Sequence, residues 1–295
     1  MTSPVRIASA GEALIDMLCE ADGRYQPCLG GAIFNLTRAL ARQGAGVAYL
    51  NALSQDRFGR ALAACLEGDG ALLAHPAPVP YPTALAMVSV DGEGHPAYAF
   101  YREGVADRAL DAHALGQACA ALPDLQIVCT GCLALAPADA DIYLTWLAVQ
   151  RRAGRMIVVD ANLRPSVIAN LEAYRANVLR ALQFADLVKV SDEDLEALGV
   201  TALDLFDLCP ARLVAYTLGK DGAALLLRGT DGSEEVKARE TRPLTVVDTV
   251  GAGDSFLAGL LVALLVQADG KALEPRAHLH ALSRSALDGM LRHAL

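Results

Sequence analysis

The sequence has little of the positive charge that phosphate-rich partners need. Only four of its 295 residues are lysine, and its formal net charge is −9 with a pI of about 5.1. We therefore expect no nucleic-acid partner, because a polyanion needs a basic surface. A Walker A loop, G-x-x-x-x-G-K-S/T, is also absent from the sequence. A phosphate-binding site has to be built from a different element.

Paired cysteines and a targeting signal are lacking too. The seven cysteines are odd in number and scattered, which favours reduced thiols and a cytoplasmic protein. Cys129 and Cys132 form a C-x-x-C sequence, but it follows a strand-like run, whereas redox motifs of this form open a helix. Glu12 and Asp16 interrupt the apolar start, and the apolar segment after Phe256 is predicted to be too short to span a bilayer. We expect no membrane partner.

Aromatic residues are scarce as well, at 5%, whereas hydrophobic residues make up 54%. Packing by Ala, Leu and Val is typical of helices layered on a sheet. Strand-like runs at 5–8, 127–129, 156–160, 187–190 and 213–217 alternate with helical segments, which predicts a mostly parallel sheet. Such a sheet binds ligands at the carboxyl ends of its strands. The length allows one large domain with an insertion, or two domains.

A hairpin interrupts this alternation of strands and helices. After the proline-rich segment 78–82, residues 83–90 and 95–102 alternate with a period of two on either side of a turn at 91–94. A hairpin that rises from a layered domain could be a lid that excludes water from a site. It could equally be an ordinary sheet edge.

The segment 246–256 is the strongest indication of function. A β-branched run is followed by Gly251-Ala252-Gly253-Asp254 and then by an apolar helix. The N–H groups at the start of this helix and the positive end of its dipole would form an anion hole. Asp254, at the same helix start, could accept a proton from a hydroxyl group. Together these features predict phosphoryl transfer to an alcohol.

Two other interpretations of this segment compete with the catalytic one. Asp is a common N-cap and Gly a common loop residue, so the segment could be no more than a connection between a strand and a helix. A dinucleotide fingerprint is disfavoured, because Asp254-Ser255-Phe256 occupies the place of the third glycine and a carboxylate there would repel a pyrophosphate.

Other polar residues follow the predicted strands, and a second glycine pair opens a helix. Gly30 and Gly31, with Asn35 one turn into that helix, would let a polar ligand approach the backbone. Asp16, in a predicted polar turn after the first strand, could hold sugar hydroxyls or be a simple turn residue. The polar residues that leave strands should gather on one edge of a parallel sheet. They are Asp16, Asp160, Asn162, Arg164, Lys189, Ser191, Thr217, Gly219 and Asp254.

In these motifs the sequence resembles the ribokinase-like sugar kinases, also called the PfkB family, and among them the fructokinases. Gly30-Gly31 with Asn35 is similar to the first signature of the family, and 248–254, Asp-Thr-Val-Gly-Ala-Gly-Asp, to the second, which is highly specific. Four further segments are similar to the fructokinase branch, and all matches keep their order along the chain. These segments are 11–16, 100–102, 160–164 and 189–193.

The resemblance implies a fold and a division into domains. The fold would be α/β, a ribokinase-like three-layer α/β/α sandwich with a mostly parallel central sheet and a small β-sheet lid. Residues 1–11, 26–80 and 104–295 would form the α/β domain that binds nucleotide and sugar, and residues 12–25 and 81–103 the lid. Lids of this family often pair, so a homodimer through the lid is expected.

The resemblance also implies a role for each site residue. Asp254 would be the catalytic base, beside an anion hole formed by Gly251, Ala252 and Gly253. The sugar would be held by Asp16, Gly30, Gly31, Asn35, Arg102 and Arg164. ATP would be bound by Lys189, Ser191, Asp194, Thr217, Gly219, Lys220 and Gly222. Mg²⁺ would bridge the donor phosphates, largely through water, and Asp248 would help to hold a monovalent cation such as K⁺.

Two departures from the family pattern are visible. The Asn-x-x-Glu element that supports magnesium and phosphate is replaced by Ser191 and Asp194, and fructokinases commonly share the first of these changes. Asp is shorter than Glu, so its reach towards magnesium is in question. Residues 281–287 resemble the helix beside adenine, but the sequence to Leu295 lacks the Gly-Ala-containing loop that usually follows. We expect part of the adenine wall and of the cation loop to be missing or supplied differently.

The sequence therefore predicts an ATP-dependent kinase that phosphorylates a hydroxyl group of a free sugar, with fructose as the first acceptor to test. One alternative is the same reaction on 2-keto-3-deoxygluconate, another sugar or a nucleoside. A second alternative is a non-catalytic sugar or nucleotide sensor with the kinase fold. The two departures favour the sensor, whereas the intact Gly251, Gly253 and Asp254 disfavour it.

Overall fold

The computed structural model describes residues 3–20, 22–90, 96–165, 168, 170–229, 232–241, 250–271 and 274–295. The predicted strand at Val246-Val247 and the predicted cation residue Asp248 lie outside this part of the chain. The strands in the described residues are β1 (Ile7–Ser9), β2 (Leu14–Cys19), β3 (Tyr25–Gly30), β4 (Val47–Tyr49), β5 (Leu72–Leu73), β6 (Ala84–Val90), β7 (Pro96–Tyr101), β8 (Ile127–Gly131), β9 (Met156–Asp160), β10 (Leu187–Ser191), β11 (Leu213–Thr217), β12 (Ala223–Arg228) and β13 (Ser233–Ala238).

The large sheet has the strand order β13-β12-β11-β10-β9-β8-β1-β4-β5. From β11 to β5 all neighbouring strands run parallel, whereas β12 and β13 are added antiparallel at one edge. Strands β1, β8 and β9 are buried along their whole length, as expected for apolar runs in a sheet that is covered on both faces. The predicted mostly parallel sheet is therefore confirmed.

Helices connect most of the parallel strands. In chain order they are α1 (Ala32–Arg42), α2 (Arg57–Asp69), α3 (Ala112–Ala120), α4 (Ala140–Arg152), α5 (Leu171–Leu182), α6 (Asp192–Leu198), α7 (Leu205–Leu208), α8 (Ala252–Gly270), α9 (Pro275–His280) and α10 (Arg284–Ala294).

The helices cover both faces of the large sheet, because successive side chains of a strand point to opposite faces. Ile127 and Cys129 of β8 belong to a core that also contains residues of α1, α2, α8 and α10. Val128, between them, belongs to a second core with residues of α3, α4 and α5, including the fully buried Trp146. Two cores on opposite faces of one sheet make the three-layer α/β/α sandwich that was predicted.

A smaller sheet has four strands in the order β3-β2-β6-β7. Strands β6 and β7 pair antiparallel, which confirms the predicted hairpin, although residues 91–95 between them lie outside the described part of the chain. Strand β2 pairs antiparallel with β3 and parallel with β6. The predicted lid segments cover β2, β6 and β7, but β3 falls mostly in the range assigned to the α/β domain. The small sheet thus contains more of the chain than the lid segments predicted.

Helix α8 is longer than the sequence indicated. It has 19 residues, and by length and composition it could cross a membrane, so the expectation that this segment is too short was wrong. Its apolar character is explained by burial, because Leu257, Leu260, Leu261 and Leu264 are buried in the core that α8 shares with α1 and α10. A mostly buried apolar helix is typical of the core of a soluble domain.

Candidate active site

The carboxyl ends of the parallel strands meet at one edge of the large sheet, and several predicted site residues lie there. Asp160 is the last residue of β9 and pairs in register with Lys189 of β10. Ser191 ends β10 opposite Thr217, which ends β11. Asn162 follows β9 with a φ of 37°, an uncommon conformation for a residue with a Cβ atom. The register of the sheet brings these residues together, as the rule for parallel sheets predicts.

Asp16 is an exception, because it does not follow a strand of the large sheet. It lies within β2 of the small sheet, so the prediction of a polar turn was wrong. Its Oδ2 lies against Gly30 of β3, where an added Cβ would come within 2.0 Å of this oxygen. Burial raises the pKa of Asp16 to about 6, and the Arg164 guanidinium opposes this rise. Asp16 therefore reaches the site from the small sheet, and glycine at position 30 makes room for it.

Asp254 lies in the first turn of α8 and is 6% exposed. Its Oδ2 accepts a hydrogen bond from Nδ2 of Asn35 at 3.2 Å, which joins α8 to α1. Burial raises the pKa of the Asp254 carboxyl, whereas Lys189, Asn35 and Arg164 lower it. A buried carboxylate is a stronger base than an exposed one, and the three neighbours oppose its protonation before a substrate hydroxyl is present.

The turn into α8 is formed by Gly251, Ala252 and Gly253. Gly251 has a φ of 75°, a left-handed conformation that favours glycine. The first hydrogen bond of the helix runs from Ser255 N–H to the Gly251 carbonyl, at 2.8 Å. Helix geometry therefore directs the N–H groups before Ser255 away from intrahelical acceptors and makes them available to an anion. The structure thus contains a turn whose N–H groups could bind an anion, next to a buried carboxylate.

Lys189, which the resemblance implies to be a nucleotide contact, is paired below the site. Its side chain is 5% exposed, and its Nζ lies 3.1 Å from Oδ1 of Asp160. Burial raises the pKa of Asp160 to about 7, although Lys189 lowers it. The sequence shows two charged residues at strand ends, but the register of β9 against β10 is needed to reveal that they form an ion pair.

The two arginines predicted to contact the sugar act on different carboxylates. Arg164 donates from Nη1 to the carbonyl of Leu163 at 2.9 Å, and its charge acts on both Asp16 and Asp254. Arg102, which follows β7, is engaged by the two carboxylates described next. Of these arginines, Arg164 is therefore the one near both predicted sugar-binding and catalytic carboxylates.

Arg102 belongs to a buried ion cluster. Its Nη1 lies 3.0 Å from Oδ2 of Asp139 and its Nη2 3.4 Å from Oδ2 of Asp107. Burial lowers the pKa of Arg102, but the two carboxylates outweigh this effect and the pKa is raised. Arg108 also donates to Asp139, at 2.5 Å. Arg102 is therefore held in place by its partners rather than exposed to solvent.

Three acidic residues, two in this cluster and one beside it, were not identified from the sequence as part of the site. Asp107 and Asp139 stand at the starts of helical segments, where acidic residues are common. Asp107 is only five residues from Arg102, whereas Asp139 meets it through a tertiary contact. Glu12 is buried, and its Oε1 accepts a hydrogen bond from Ala32 N–H at the start of α1, at 3.0 Å. Burial raises the pKa of Glu12 to about 7, although Arg102 lowers it.

Ser191 and Asp194 form a capping box at the start of α6. The Ser191 Oγ accepts from Asp194 N–H at 3.1 Å, and Oδ2 of Asp194 accepts from Ser191 N–H at 2.8 Å. The other oxygen, Oδ1, accepts from Leu163 N–H at 2.7 Å. Both oxygens of Asp194 are thus bonded to backbone groups. The shorter acid links the start of α6 to the segment that carries Arg164.

The turn between β11 and β12 contains the remaining residues predicted to bind the nucleotide. Thr217 donates from Oγ1 to the Val190 carbonyl at 3.4 Å. Leu218 N–H donates to the Gly222 carbonyl at 2.8 Å, which closes a tight turn. Gly219 and Lys220 lie at its exposed tip. This turn follows the same sheet edge as Ser191, so its backbone and Lys220 are positioned where a ligand at that edge could meet them.

Comparison with known proteins identifies the family. Residues 6–281 match the pfkB family of carbohydrate kinases. A fructokinase of Rhizobium leguminosarum bv. trifolii is 36% identical over 271 residues, which cover 88% of this chain and 79% of the relative.

Solved structures of fructokinases share the fold. The fructokinase of Xylella fastidiosa with bound ATP aligns with a TM-score of 0.81 and 27% identity, covering 99% of this chain and 90% of that chain. The fructokinase of Vibrio cholerae O395 with fructose, ADP and a calcium ion aligns with a TM-score of 0.74 and 26% identity. The alignment covers 98% of this chain and 90% of that chain. The ribokinase-like fold is therefore confirmed, and the chain belongs to the pfkB family of carbohydrate kinases.

Proposed function

We propose that the protein is an ATP-dependent fructokinase, which transfers the γ-phosphoryl group of ATP to a hydroxyl group of free fructose. One observation carries this proposal: the buried carboxylate of Asp254, held by Asn35, lies in the first turn of α8 beside N–H groups that can receive an anion. A base next to an anion site is what phosphoryl transfer to an alcohol requires. Membership of the family and the fructokinase relatives support the same reaction.

In this reaction Asp254 accepts the proton of the attacking hydroxyl group. The hydroxyl oxygen bonds to the γ-phosphorus while the bond from that phosphorus to the leaving oxygen of ADP breaks. The N–H groups of Gly251, Ala252 and Gly253 stabilise the charge on the transferred group. Asn35 orients the carboxylate of Asp254. The small sheet acts as a lid that excludes water, so that ATP is not hydrolysed instead.

The proposed acceptor is a neutral sugar, held by Asp16, Gly30, Gly31, Asn35 and Arg164. Carboxylate and amide oxygens accept hydrogen bonds from sugar hydroxyl groups, and the amide and guanidinium groups donate to them. The structurally related fructokinase of Vibrio cholerae O395 binds fructose.

The charges near the acceptor support a neutral sugar over a sugar acid such as 2-keto-3-deoxygluconate. A sugar acid would bring another carboxylate close to Asp16 and Asp254. Of the two arginines predicted to contact the sugar, Arg102 is already engaged by Asp107 and Asp139. The charge of Arg164 already opposes those of Asp16 and Asp254. Like charges at short distance repel strongly in a buried site.

ATP is proposed to bind along Ser191, Thr217, Gly219, Lys220 and Gly222, with its γ-phosphate at the start of α8. Mg²⁺ would neutralise charge on the donor phosphates. In the part of the chain that the structure describes, no group of three or more His, Cys, Asp or Glu side chains could hold a metal ion. We therefore propose that phosphate and water supply most of the magnesium ligands. A monovalent-cation site that includes Asp248 is proposed from the family resemblance.

We further propose a cytoplasmic homodimer that pairs through the small sheet. Side chains of a strand alternate between its two faces, so Asp16 points to the site and Met17 to the opposite face. That face also carries Leu85, Tyr25 and Tyr101. Met17 and Leu85 pack partly against the core, whereas the two tyrosines are 40% and 63% exposed. Exposed aromatic side chains on a sheet face form a surface that a second copy can bury.

The oligomeric state can be measured by light scattering. Tyr101→Asp should convert a dimer into a monomer at micromolar concentration. Leu203→Asp should not, because this apolar position lies outside the small sheet, although it is 55% exposed against 63% for Tyr101. A monomeric wild type would rule out the dimer and leave the kinase proposal intact.

One assay tests the kinase proposal. Coupled ADP release is measured over a panel of fructose, other hexoses, 2-keto-3-deoxygluconate and nucleosides, with and without K⁺. Fructose should give the highest kcat/KM. Asp254→Asn should lower kcat by about 10²–10⁴-fold while nucleotide still binds. Asp141→Asn, at an exposed position in the first turn of α4, is the matched control and should leave kcat unchanged. Turnover by the Asp254→Asn variant close to wild type would contradict the mechanism.

A further inference from the structure

Lys189 occupies an unusual place for a lysine. It comes from β10 in the interior of the large sheet, and its ammonium group is paired with Asp160 of the adjacent strand, in the ion pair described above. Burial lowers the pKa of Lys189, but the carboxylates of Asp160, Asp194 and Asp254 outweigh this effect and the pKa is raised. A charged ammonium group is therefore fixed inside the protein, where its position is set by the sheet.

The ammonium group lies directly against the turn that begins α8. A Cβ atom added to Gly253 would come within 2.9 Å of the Lys189 Nζ and 3.4 Å of its Cε. Glycine at position 253 thus leaves room for the lysine, in addition to any role in admitting a phosphoryl group, because a Cβ there would displace its ammonium group. The ammonium group of Lys189 thus lies against the backbone of the anion-binding turn, on the side of the turn that faces the large sheet.

The reaction proposed above creates an electrostatic conflict at this turn. Asp254 has to be ionised to act as a base, and a phosphoryl group with negative charge has to approach the same turn. The two neighbouring carboxylates increase the repulsion, because Asp160 and Asp194 both act on the same buried region. The cations that oppose these three carboxylates are Lys189 and Arg164.

We infer that Lys189 is a positioning residue that lets the ionised base and the anion-binding turn coexist, and that Asp160 fixes the lysine in this place. The inference rests on the proposed function, because it assigns a task to Lys189 in that reaction. It differs from the role that the family resemblance implies, since a lysine paired beneath the turn affects the chemical step rather than the affinity for the nucleotide. Removing the charge should therefore lower kcat and leave the KM values nearly unchanged.

The test compares three variants with a matched control. Lys189→Met should lower kcat by about 10²–10³-fold, similar to the loss of an oxyanion-hole donor, with KM for ATP and for fructose within about threefold of wild type. Asp160→Asn keeps the charged lysine and should lower kcat by no more than about tenfold. The double variant Lys189→Met/Asp160→Asn removes both charges, so it does not leave an unpaired buried carboxylate that could prevent folding. Its kcat should remain as low as that of Lys189→Met.

The control is Lys237→Met, which removes an exposed lysine paired with Glu235 and should leave kcat unchanged. A second readout is rescue: in Lys189→Ala, added methylammonium or ethylammonium ions should restore part of kcat, which a purely structural lysine would not allow.

Two results would overturn the inference. If the double variant regains a kcat within about fivefold of wild type, Lys189 serves only to neutralise Asp160. If Lys189→Met raises KM for ATP and keeps kcat, the lysine is a nucleotide contact. A wild type that releases no ADP with any acceptor would be seen before any variant is made, and it would overturn the proposed function and this inference with it.

Discussion

Two buried ion clusters connect different parts of the molecule. The floor pair, Lys189 and Asp160, joins adjacent strands of the large sheet directly under the first turn of α8. The lid cluster, Arg102 with Asp107 and Asp139, joins the end of β7 in the small sheet to segments of the large domain. Both are deeply buried, yet the first is proposed to act on the reacting groups, whereas the second connects the small sheet to the large domain. Whether a buried ion pair affects catalysis or only stability thus depends on which elements of the fold it connects.

The largest effect on stability is expected from the lid cluster. Arg102→Met leaves the buried carboxylates of Asp107 and Asp139 without this arginine, and breaking a buried ion pair from one side costs about 3–5 kcal/mol. We expect the free energy of unfolding in urea to fall by that amount at pH 7.5. Arg24→Met, which removes an exposed arginine paired with Asp22 at the other end of the small sheet, should change it by less than about 1 kcal/mol.

A further variant separates the lid cluster from general destabilisation. Arg102→Met/Asp107→Asn removes one of the stranded charges and should recover part of the loss. If Arg102→Met lowers the free energy of unfolding no more than Arg24→Met does, the lid cluster does not stabilise the attachment of the small sheet. The proposed difference between the lid cluster and the floor pair would then be wrong.

The next largest effect is a dependence of stability on pH, caused by Glu12, which is buried next to the lid cluster. Its pKa is about 7 in the folded protein, raised from 4.5 by burial. A raised carboxyl pKa means that the contribution of Glu12 to stability is fully present below about pH 4.5 and is lost as the pH rises through about 7. The loss amounts to about 3 kcal/mol for a shift of this size. Glu12→Gln cannot ionise and should not lose stability over this range.

The measurement is urea unfolding of wild type and Glu12→Gln at pH 4.5 and pH 8. The advantage of Glu12→Gln over wild type should grow by about 3 kcal/mol between the two values. Glu67→Gln, at an exposed position of α2, should follow wild type at both. If the free energies of unfolding of wild type and Glu12→Gln differ by the same amount at both pH values, Glu12 does not titrate between pH 4.5 and pH 8.

The sequence alone predicts the features that depend on neighbouring residues, but not those that depend on contacts between distant residues. The alternation of strands and helices predicts the large sheet and its ligand-binding edge, because period and length are local properties. The turn before Asp254 could be recognised from its glycines and the apolar run that follows. The ion pairs could not, since Lys189 meets Asp160 through strand register and Arg102 meets Asp139 through the docking of the small sheet. The roles assigned to the individual site residues stay predictions.

Asp16 shows why the small sheet was the harder region to predict. Asp16 lies between the apolar residues 13–15 and 17–19, so the segment lacks the period of two that would distinguish a strand from a turn. In the structure β2 gains its pairing from β3 and from β6, and β6 is far away in the sequence. The boundary of the lid was affected for the same reason, because β3 is assigned to the small sheet by pairing rather than by its own pattern.

A third prediction tests how Asp16 enters the site from the small sheet. In Gly30→Ala the new methyl group would meet Oδ2 of Asp16 at 2.0 Å, so the carboxylate has to move. We expect KM for fructose to rise about 10–100-fold, which corresponds to about 1.4–2.7 kcal/mol, with KM for ATP unchanged. Gly116→Ala, in α3 with open space around the added methyl group, should leave both values as they are. A rise in KM for ATP instead would place Asp16 on the nucleotide side.

The smallest effect is expected at Asp194, beside the floor pair. The family resemblance implies Glu as the usual residue at this position, and Asp194→Glu introduces it. Because both oxygens of Asp194 bond to backbone N–H groups, a longer side chain should lose at least one of these bonds and reduce the free energy of unfolding by about 1–2 kcal/mol. The Mg²⁺ concentration for half-maximal activity should change by less than about threefold. A marked gain in apparent Mg²⁺ affinity without loss of stability would mean that the carboxylate serves the metal. Asp194 would then act on the reacting groups as the floor pair is proposed to do, instead of linking the start of α6 to the segment that carries Arg164.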